Sequence, residues 1–213
     1  MKKKLILFIG IILIMVWYTL APKQEEFILP IFTPSDLRYN LVHPSLVGKT
    51  EHTVPDFSFI DQNGNTVSEK TVEGKIYVVD FFFTSCPSIC IDLTNNLKEV
   101  QSAFIDNENV LILSHSVDPK IDNIERLKKY ADINNINNEK WFLLTGPIED
   151  IIRMAQLGYF AIASVPNHTD NSLIHTENVV LVDKNRKIRG IYNGTSSLEI
   201  RYLIDDIDKL LSY

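Results

Sequence analysis

Apolar runs typical of buried strands alternate with segments of helical periodicity through most of the chain. The longest run in this region, Ile76 to Phe83, is rich in β-forming side chains and predicts a central strand covered on both faces. Val110 to His115 and Trp141 to Leu144 predict two more buried strands. Between these strands, Ser88 to Ile105 favours a helix, and Ile121 to Ile133 carries apolar residues at helical spacing.

A hairpin is predicted at each end of this alternating region. Phe57 to Ile60 and Thr66 to Val67 flank an Asn-Gly turn, and Asn178 to Asp183 is followed across a polar turn by Ile188 to Tyr192. Ser196-x-x-Glu199 has the spacing of a capping box and opens a last helix. The order predicts an α/β fold of the thioredoxin-like kind, with a central mixed sheet flanked by helices and an N-terminal β-hairpin extension.

The chain before this region predicts a membrane attachment. Three lysines precede an apolar run from Leu5 to Ala21, which is typical of either a signal peptide or a membrane anchor. Pro22 disfavours cleavage after Ala21, so residues 1–21 are interpreted as a membrane anchor or uncleaved signal. The lysines place the N-terminus in the cytoplasm and the folded domain in the periplasm, at the inner membrane. Residues 22–53 contain four prolines and are expected to form an extended spacer before a domain at 54–213.

Charge and cysteine content exclude several classes of protein. The formal net charge is −6 although three lysines lie within the first four residues, so the remaining chain is still more acidic. Such a surface disfavours nucleic acid, which requires basic patches. With only two cysteines, a disulfide-rich scaffold and a four-cysteine zinc site are both excluded.

Those two cysteines, Cys86 and Cys90, follow the central strand and begin the next helix. Active groups in parallel sheets lie beyond the carboxyl ends of the strands, so this position favours chemistry. Cys86 is expected to cap the helix, with Pro87 at its first position and a lowered thiol pKa. Side chains one helical turn apart are about 5–6 Å from each other, which allows either a disulfide or a soft metal ion such as copper(I).

A third ligand would come from the five histidines of the chain. His43 and His52 lie in the predicted spacer or at the domain edge and are expected to be surface residues. His168 belongs to a loop. His115 ends a parallel strand and His175 precedes an antiparallel one, so geometry alone brings both to the edge that carries the thiols.

Several motifs resemble those of the Sco/SenC family. Phe83 to Cys90 is similar to its F-T-x-C-P-x-x-C motif, Ser116 to Pro119 to its S-V-D-P segment, and Leu144 to Gly146 to its L-T-G, in that order. His175 and the following strand match its late histidine. The resemblance runs from about residue 50 to the C-terminus, and together with the predicted anchor it selects His175 over His115.

The resemblance implies a thioredoxin-like protein that binds copper, Cu(I) or Cu(II), through Cys86, Cys90 and His175. It implies a role in installing copper in the CuA site of cytochrome c oxidase subunit II, or in another copper client, and a redox-active Cys86–Cys90 disulfide. Two positions depart from the family pattern, because Ile174 replaces an aspartate and Ile91 a proline. Asp118 is interpreted either as a carboxylate next to the metal ligands or as part of an Asx turn.

The main alternative is a membrane-anchored thiol–disulfide oxidoreductase. Cys86 would attack a client disulfide and Cys90 would resolve the mixed disulfide, using the residues that would hold copper. Thioredoxin enzymes carry a cis-proline before the strand that corresponds to Asn178 onwards, and residues 174–177 contain no proline. This favours copper handling and leaves a dual role open. A redox or copper sensor that signals through partner binding is a third hypothesis, which only a search for partners would test.

Overall fold

The computed structural model describes residues 10, 15, 17, 28–37, 42–162 and 176–212. These residues form a small hairpin, a larger sheet and four α-helices. The strands are β1 (Ser58–Ile60), β2 (Thr66–Ser68), β3 (Ile76–Phe82), β4 (Val110–Ser116), β5 (Trp141–Leu144), β6 (Asn178–Val182) and β7 (Ile188–Asn193). The helices are α1 (Ile89–Ala103), α2 (Ile124–Asn134), α3 (Ile148–Arg153) and α4 (Ser197–Leu211), and α3 continues into a π-helical turn at Met154–Gly158.

The central sheet is mixed, with the strand order β5-β4-β3-β6-β7. Strands β3, β4 and β5 run parallel, and β6 and β7 are added antiparallel. Strands β1 and β2 form the separate N-terminal hairpin. The sequence-based prediction of a mixed sheet flanked by helices, with a hairpin before it, is therefore confirmed.

Helices α1 and α2 lie on the same face of this sheet. Both crossovers step in the same direction, from β3 to β4 and from β4 to β5, and right-handed crossovers of that kind put both helices on one side. The Thr94 and Tyr130 hydroxyls, which join α1 to α2, are 2.8 Å apart. The Phe82 ring packs against Tyr130 at 5.5 Å, so the even-numbered residues of β3 face these helices.

Strands β3 and β4 form the centre of the core, and every residue in them is buried. Side chains alternate between the two faces of a strand, so adjacent register pairs lie on opposite sides of the sheet. Asp80 pairs with Ser114 on the face that carries α1 and α2, whereas Phe81 pairs with His115 on the other face. This alternation decides which polar residues lie on the side of the sheet that carries α1.

Two helix starts differ from the predictions. Helix α1 begins at Ile89 and follows Ser88, so Cys86 lies in a turn before the helix and does not cap it. Helix α2 begins at Ile124, because the Asn123 side chain accepts a hydrogen bond from the Arg126 N–H and caps it there.

The capping box before α4 is only half formed. The Ser196 hydroxyl accepts a hydrogen bond from the Glu199 N–H at 3.4 Å. The Glu199 carboxylate instead accepts from the Asn193 N–H at 2.6 Å, which ties the helix start to the end of β7.

Part of the predicted spacer packs against the folded domain. Leu29, Val42 and Leu46 are buried, and Phe32 pairs with Ile188 at the outer side of β7. The Arg189 guanidinium donates to the carbonyls of this segment at Leu29 and Pro30. Residues 28–37 and 42–53 therefore differ from an extended spacer, since their apolar side chains gain stability by leaving water.

The predicted anchor, 1–21, falls almost entirely outside the described residues. Of that range only Gly10, Met15 and Trp17 are described. Among the parts of the chain that the structure describes, no helix is both long enough and apolar enough to cross a bilayer.

Candidate metal centre

The two thiols lie beyond the carboxyl end of β3, where the chain turns before entering α1. The Cys86 N–H donates to the Phe83 carbonyl at 3.2 Å and closes this turn. Cys90 is the second residue of α1. Both cysteines are free thiols, 8% and 2% exposed respectively, so the pair is reachable from solvent mainly through Cys86.

The local contacts give the two thiols different acidities. Burial alone would raise the pKa of the Cys86 thiol, but hydrogen bonds from the Cys90 thiol, the Ser88 and Cys90 N–H groups and the Ser88 hydroxyl lower it overall. Burial and the neighbouring Cys86 raise the pKa of Cys90 to about 12. Cys86 is therefore the sulfur that ionises first, and the N–H groups at the helix start lower its pKa although it does not cap the helix.

A buried carboxyl group, Asp80, lies on the same face of the sheet as α1. Burial raises its pKa to about 7, although the Ser114 hydroxyl donates a hydrogen bond to it. The Trp141 indole N–H donates to Ser114 at 2.7 Å and completes the chain of donors. The sequence signal for this group was a single charged residue inside the apolar run of β3, and our sequence analysis missed it.

A second buried carboxylate, Asp122, ties the cysteine loop to the loop after β4. It accepts hydrogen bonds from the Thr84 N–H at 3.0 Å, the Thr84 hydroxyl and the Ser116 hydroxyl at 2.6 Å. The Arg126 Nε lies 3.5 Å from the carboxylate and donates to the Thr84 hydroxyl at 2.6 Å. Sequence analysis missed this residue too, and its only signal was the i, i+4 spacing of Asp122 and Arg126.

Asp118, which sequence analysis singled out, contacts the turn through its backbone. Its N–H donates to the Ser116 hydroxyl at 3.2 Å, and its carbonyl accepts from the Ile121 and Asp122 N–H groups. None of the described residues donates a hydrogen bond to its carboxylate. The carboxylate that supports the cysteine loop is therefore Asp122.

His115 is not close to the sulfur pair. It lies on the opposite face of the sheet from Asp80, is fully buried, and packs against Phe59 at 4.9 Å and Phe81 at 5.2 Å between ring centroids. Burial lowers its pKa to about 3. The prediction from geometry alone that its strand end brings this ring to the thiol edge is wrong, because the side chain points to the other face.

The remaining histidines divide into described and undescribed positions. The His43 ring contacts the Ser45 hydroxyl at 2.8 Å, and the His52 Nε2 contacts the Gly158 carbonyl at 2.8 Å. His52 is half-buried against Phe160, so it is less exposed than expected. His168 and His175 lie outside the described residues.

The described residues hold two sulfur donors and no complete metal site. Within them, no group of three or more His, Cys, Asp or Glu side chains is arranged to hold a metal ion. The antiparallel pairing of β3 with β6 brings the start of β6 to the edge where β3 ends. Thr176, the first described residue after His175, comes just before β6.

A family model and a curated relative both match this chain and point to the same protein family. The family model SCO1/SenC matches residues 47–212. A SCO1 protein homolog from Bacillus subtilis is 32% identical over 158 residues, which cover 73% of this chain and 81% of that protein.

Two solved structures share the fold. BsSco, described as a member of the Sco family of cytochrome c oxidase assembly proteins with a disulfide switch, is 30% identical, with a TM-score of 0.64, over 76% of this chain and 95% of that one. ScoI of Bradyrhizobium japonicum with copper bound is 23% identical, with a TM-score of 0.59. The match covers 75% of this chain and 99% of that chain. The fold is accordingly the thioredoxin-like fold expected from the resemblance, and the chain belongs to the SCO1/SenC family.

Proposed function

We propose that this protein is a copper metallochaperone that assists assembly of the CuA site of cytochrome c oxidase. Copper is the cargo, held by Cys86, Cys90 and His175 and passed to subunit II by ligand exchange. The observation that carries the proposal is the thiol pair of unequal acidity at the strand edge of a SCO1/SenC family chain.

The two sulfurs fit copper(I) by their chemistry. Thiolates are soft ligands, and two thiolates with one imidazole give the three-coordinate environment that copper(I) accepts, whereas zinc prefers four ligands. Cys86 has the lower pKa and would bind first. Copper would then displace the Cys90 proton, which passes to solvent, because coordination deprotonates a thiol outright.

The relatives support this cargo and this client. BsSco is described as belonging to the cytochrome c oxidase assembly proteins, and the Bradyrhizobium japonicum protein is described with copper bound. The proposal includes the predicted location, with residues 1–21 in the inner membrane and the domain in the periplasm.

The test is a copper(I) titration of the reduced protein against a chelator of known affinity. We expect one tightly bound copper per chain, loss of tight binding in Cys86→Ser and Cys90→Ser, and strong weakening in His175→Ala. His43→Ala is the matched control, since within the described part of the chain the His43 ring forms hydrogen bonds to Ser45 alone. Tight binding that survives loss of both cysteines would overturn the proposal.

A second candidate function, thiol–disulfide exchange on client cysteines, is favoured by the same difference in acidity. A lowered pKa suits Cys86 as the attacking thiol, and a protonated Cys90 would resolve the mixed disulfide. The His175→Ala variant separates the two functions. It should weaken copper binding and leave the rate of exchange with a model disulfide within about twofold of wild type.

A further inference from the structure

We propose that Asp122 is a positioning residue for Cys86: its carboxylate clasps Thr84 and thereby holds the first sulfur where it can share a copper ion with Cys90. The inference rests on the proposed function for the identity of the metal. Its structural basis is independent of the metal, because it concerns the conformation of the loop that carries the thiol.

The clasp consists of one fully buried carboxylate and its donors. Both oxygens of Asp122 are used by Thr84, one by its N–H at 3.0 Å and the other by its hydroxyl. The Ser116 hydroxyl adds a third hydrogen bond at 2.6 Å, and Arg126 approaches at 3.5 Å. A buried carboxylate is stable only when it is paired and hydrogen-bonded in this way.

The clasp fixes the chain two residues before the sulfur. Thr84 is held through both its backbone and its side chain, so its position and its rotamer are set together. The next constraint is the Cys86 N–H, which donates to the Phe83 carbonyl. Cys86 therefore lies on a short turn with one fixed end at Thr84 and the other at the start of α1.

The clasp also links the two loops that follow the parallel strands. Thr84 comes after β3, and Ser116 ends β4, so a single carboxylate joins both strand ends at the candidate metal centre. Groups that orient metal ligands from outside the coordination sphere contribute to affinity, and removing one commonly costs about 10–100-fold. We expect loss of the clasp to weaken copper binding by a factor in that range.

The experiment compares Thr84→Val, Thr84→Ser and Asp122→Asn in the full chain. Thr84→Val removes the hydroxyl and preserves the shape, while Thr84→Ser retains both donors to the carboxylate. Asp132→Asn is the matched control, because its carboxylate is exposed on α2, the helix that follows Asp122 in the chain. Each variant is measured well below its unfolding temperature, so that unfolded protein does not contribute to the measured affinity or equilibrium.

Two quantities are measured on each protein. The first is the copper(I) affinity by chelator competition. The second, measured without metal, is the redox equilibrium constant of the protein with glutathione. In this reaction the Cys86–Cys90 disulfide and two molecules of reduced glutathione give the Cys86–Cys90 dithiol and one molecule of oxidised glutathione. We expect Thr84→Val and Asp122→Asn to bind copper about tenfold more weakly and to shift this equilibrium at least about threefold towards the protein disulfide, because the dithiol geometry is no longer held.

The conservative variant and the control decide the outcome. Thr84→Ser and Asp132→Asn should stay within about twofold of wild type in both quantities. Equal affinities and equal glutathione equilibria in Thr84→Val and wild type would overturn the positioning role, even if Asp122→Asn fails to fold. A wild-type protein that binds no copper would overturn the proposed function instead, and the glutathione equilibrium would still test the clasp.

Discussion

The two faces of the central sheet bury polar side chains in opposite ways. On the α1 side, Asp80 receives a hydrogen bond from Ser114, which in turn receives one from Trp141. On the other side, both ring nitrogens of His115 are buried without a hydrogen-bond partner among the described residues.

Two tyrosine hydroxyls extend this contrast. The Tyr77 and Tyr159 hydroxyls are likewise buried with no partner of hydrogen-bond geometry in the described chain. The face with a connected polar network is the one that carries the thiols, and the unconnected face is packed with aromatic rings. Buried polar groups that stabilise a fold must be joined to donors and acceptors, so only the first face should lose stability when one polar group is removed.

The largest expected effect concerns Asp80. Its pKa in the folded protein, about 7, is above its ordinary value of 3.8, so its protonated form stabilises the fold at low pH and this stability is lost as the pH rises through 7. The loss between about pH 4 and pH 8 amounts to about 4 kcal/mol. Asp80→Asn should abolish it, as measured by urea unfolding at both pH values. Parallel pH profiles of wild type and variant would contradict the buried-acid assignment.

His115 should show the opposite pH dependence on the other face. Its pKa in the folded protein is about 3, below the ordinary 6.5, so the unfolded chain takes up a proton first when the pH falls. The stability present above pH 6.5 then decreases by about 3 kcal/mol at about pH 4. In His115→Phe this part of the acid sensitivity should disappear from denaturation curves. An unchanged acid profile would mean that the ring has a partner when folded.

Ser114→Ala tests the connected face without changing a charge. The substitution removes the donor to Asp80 and the acceptor for the Trp141 N–H, so two buried groups lose a partner. We expect the free energy of unfolding to fall by about 2 kcal/mol at about pH 5. Ser114→Cys, which is close in size, serves as the comparison, and a loss below about 0.5 kcal/mol in Ser114→Ala would argue that water replaces the hydroxyl.

Tyr77→Phe is the matching change on the unconnected face, and its effect should be the smallest. The hydroxyl meets no partner of hydrogen-bond geometry in the described chain, although the nearby Tyr159 hydroxyl affects its pKa, so removing it should lower the free energy of unfolding by less than about 0.5 kcal/mol. Thermal and urea unfolding provide the measurement. A loss above about 1 kcal/mol would reveal a bond between the Tyr77 and Tyr159 hydroxyls and would remove the contrast between the faces.

Much of the fold could be predicted because it depends on local pattern. The apolar run from Ile76 gives a doubly covered strand whatever its neighbours are, and the position of Cys86 after that strand follows directly. The face to which His115 points could not be obtained in this way. It depends on the register that pairs His115 with Phe81, which is set by contacts distant in sequence.

The clasp at Asp122 could not be predicted from the sequence for a related reason. It requires the loops after β3 and β4 to meet, and Thr84 and Asp122 are 38 residues apart in the chain. The sequence shows Asp118 and Asp122 as equivalent acidic residues on one loop. Only the fold shows that Asp118 contacts its turn through its backbone N–H, whereas Asp122 buries its carboxylate beneath the cysteine loop.

The pairing of Phe32 with Ile188 has a consequence for the behaviour of the protein in a crowded compartment. Strand β7 forms an outer margin of the sheet, and open strands at such margins recruit strands from other molecules. The chain ahead of the domain lies along part of that margin and is held there by Arg189. The same residues that lead into the domain thus cover part of this margin and leave less of β7 open to pairing with a strand of another molecule.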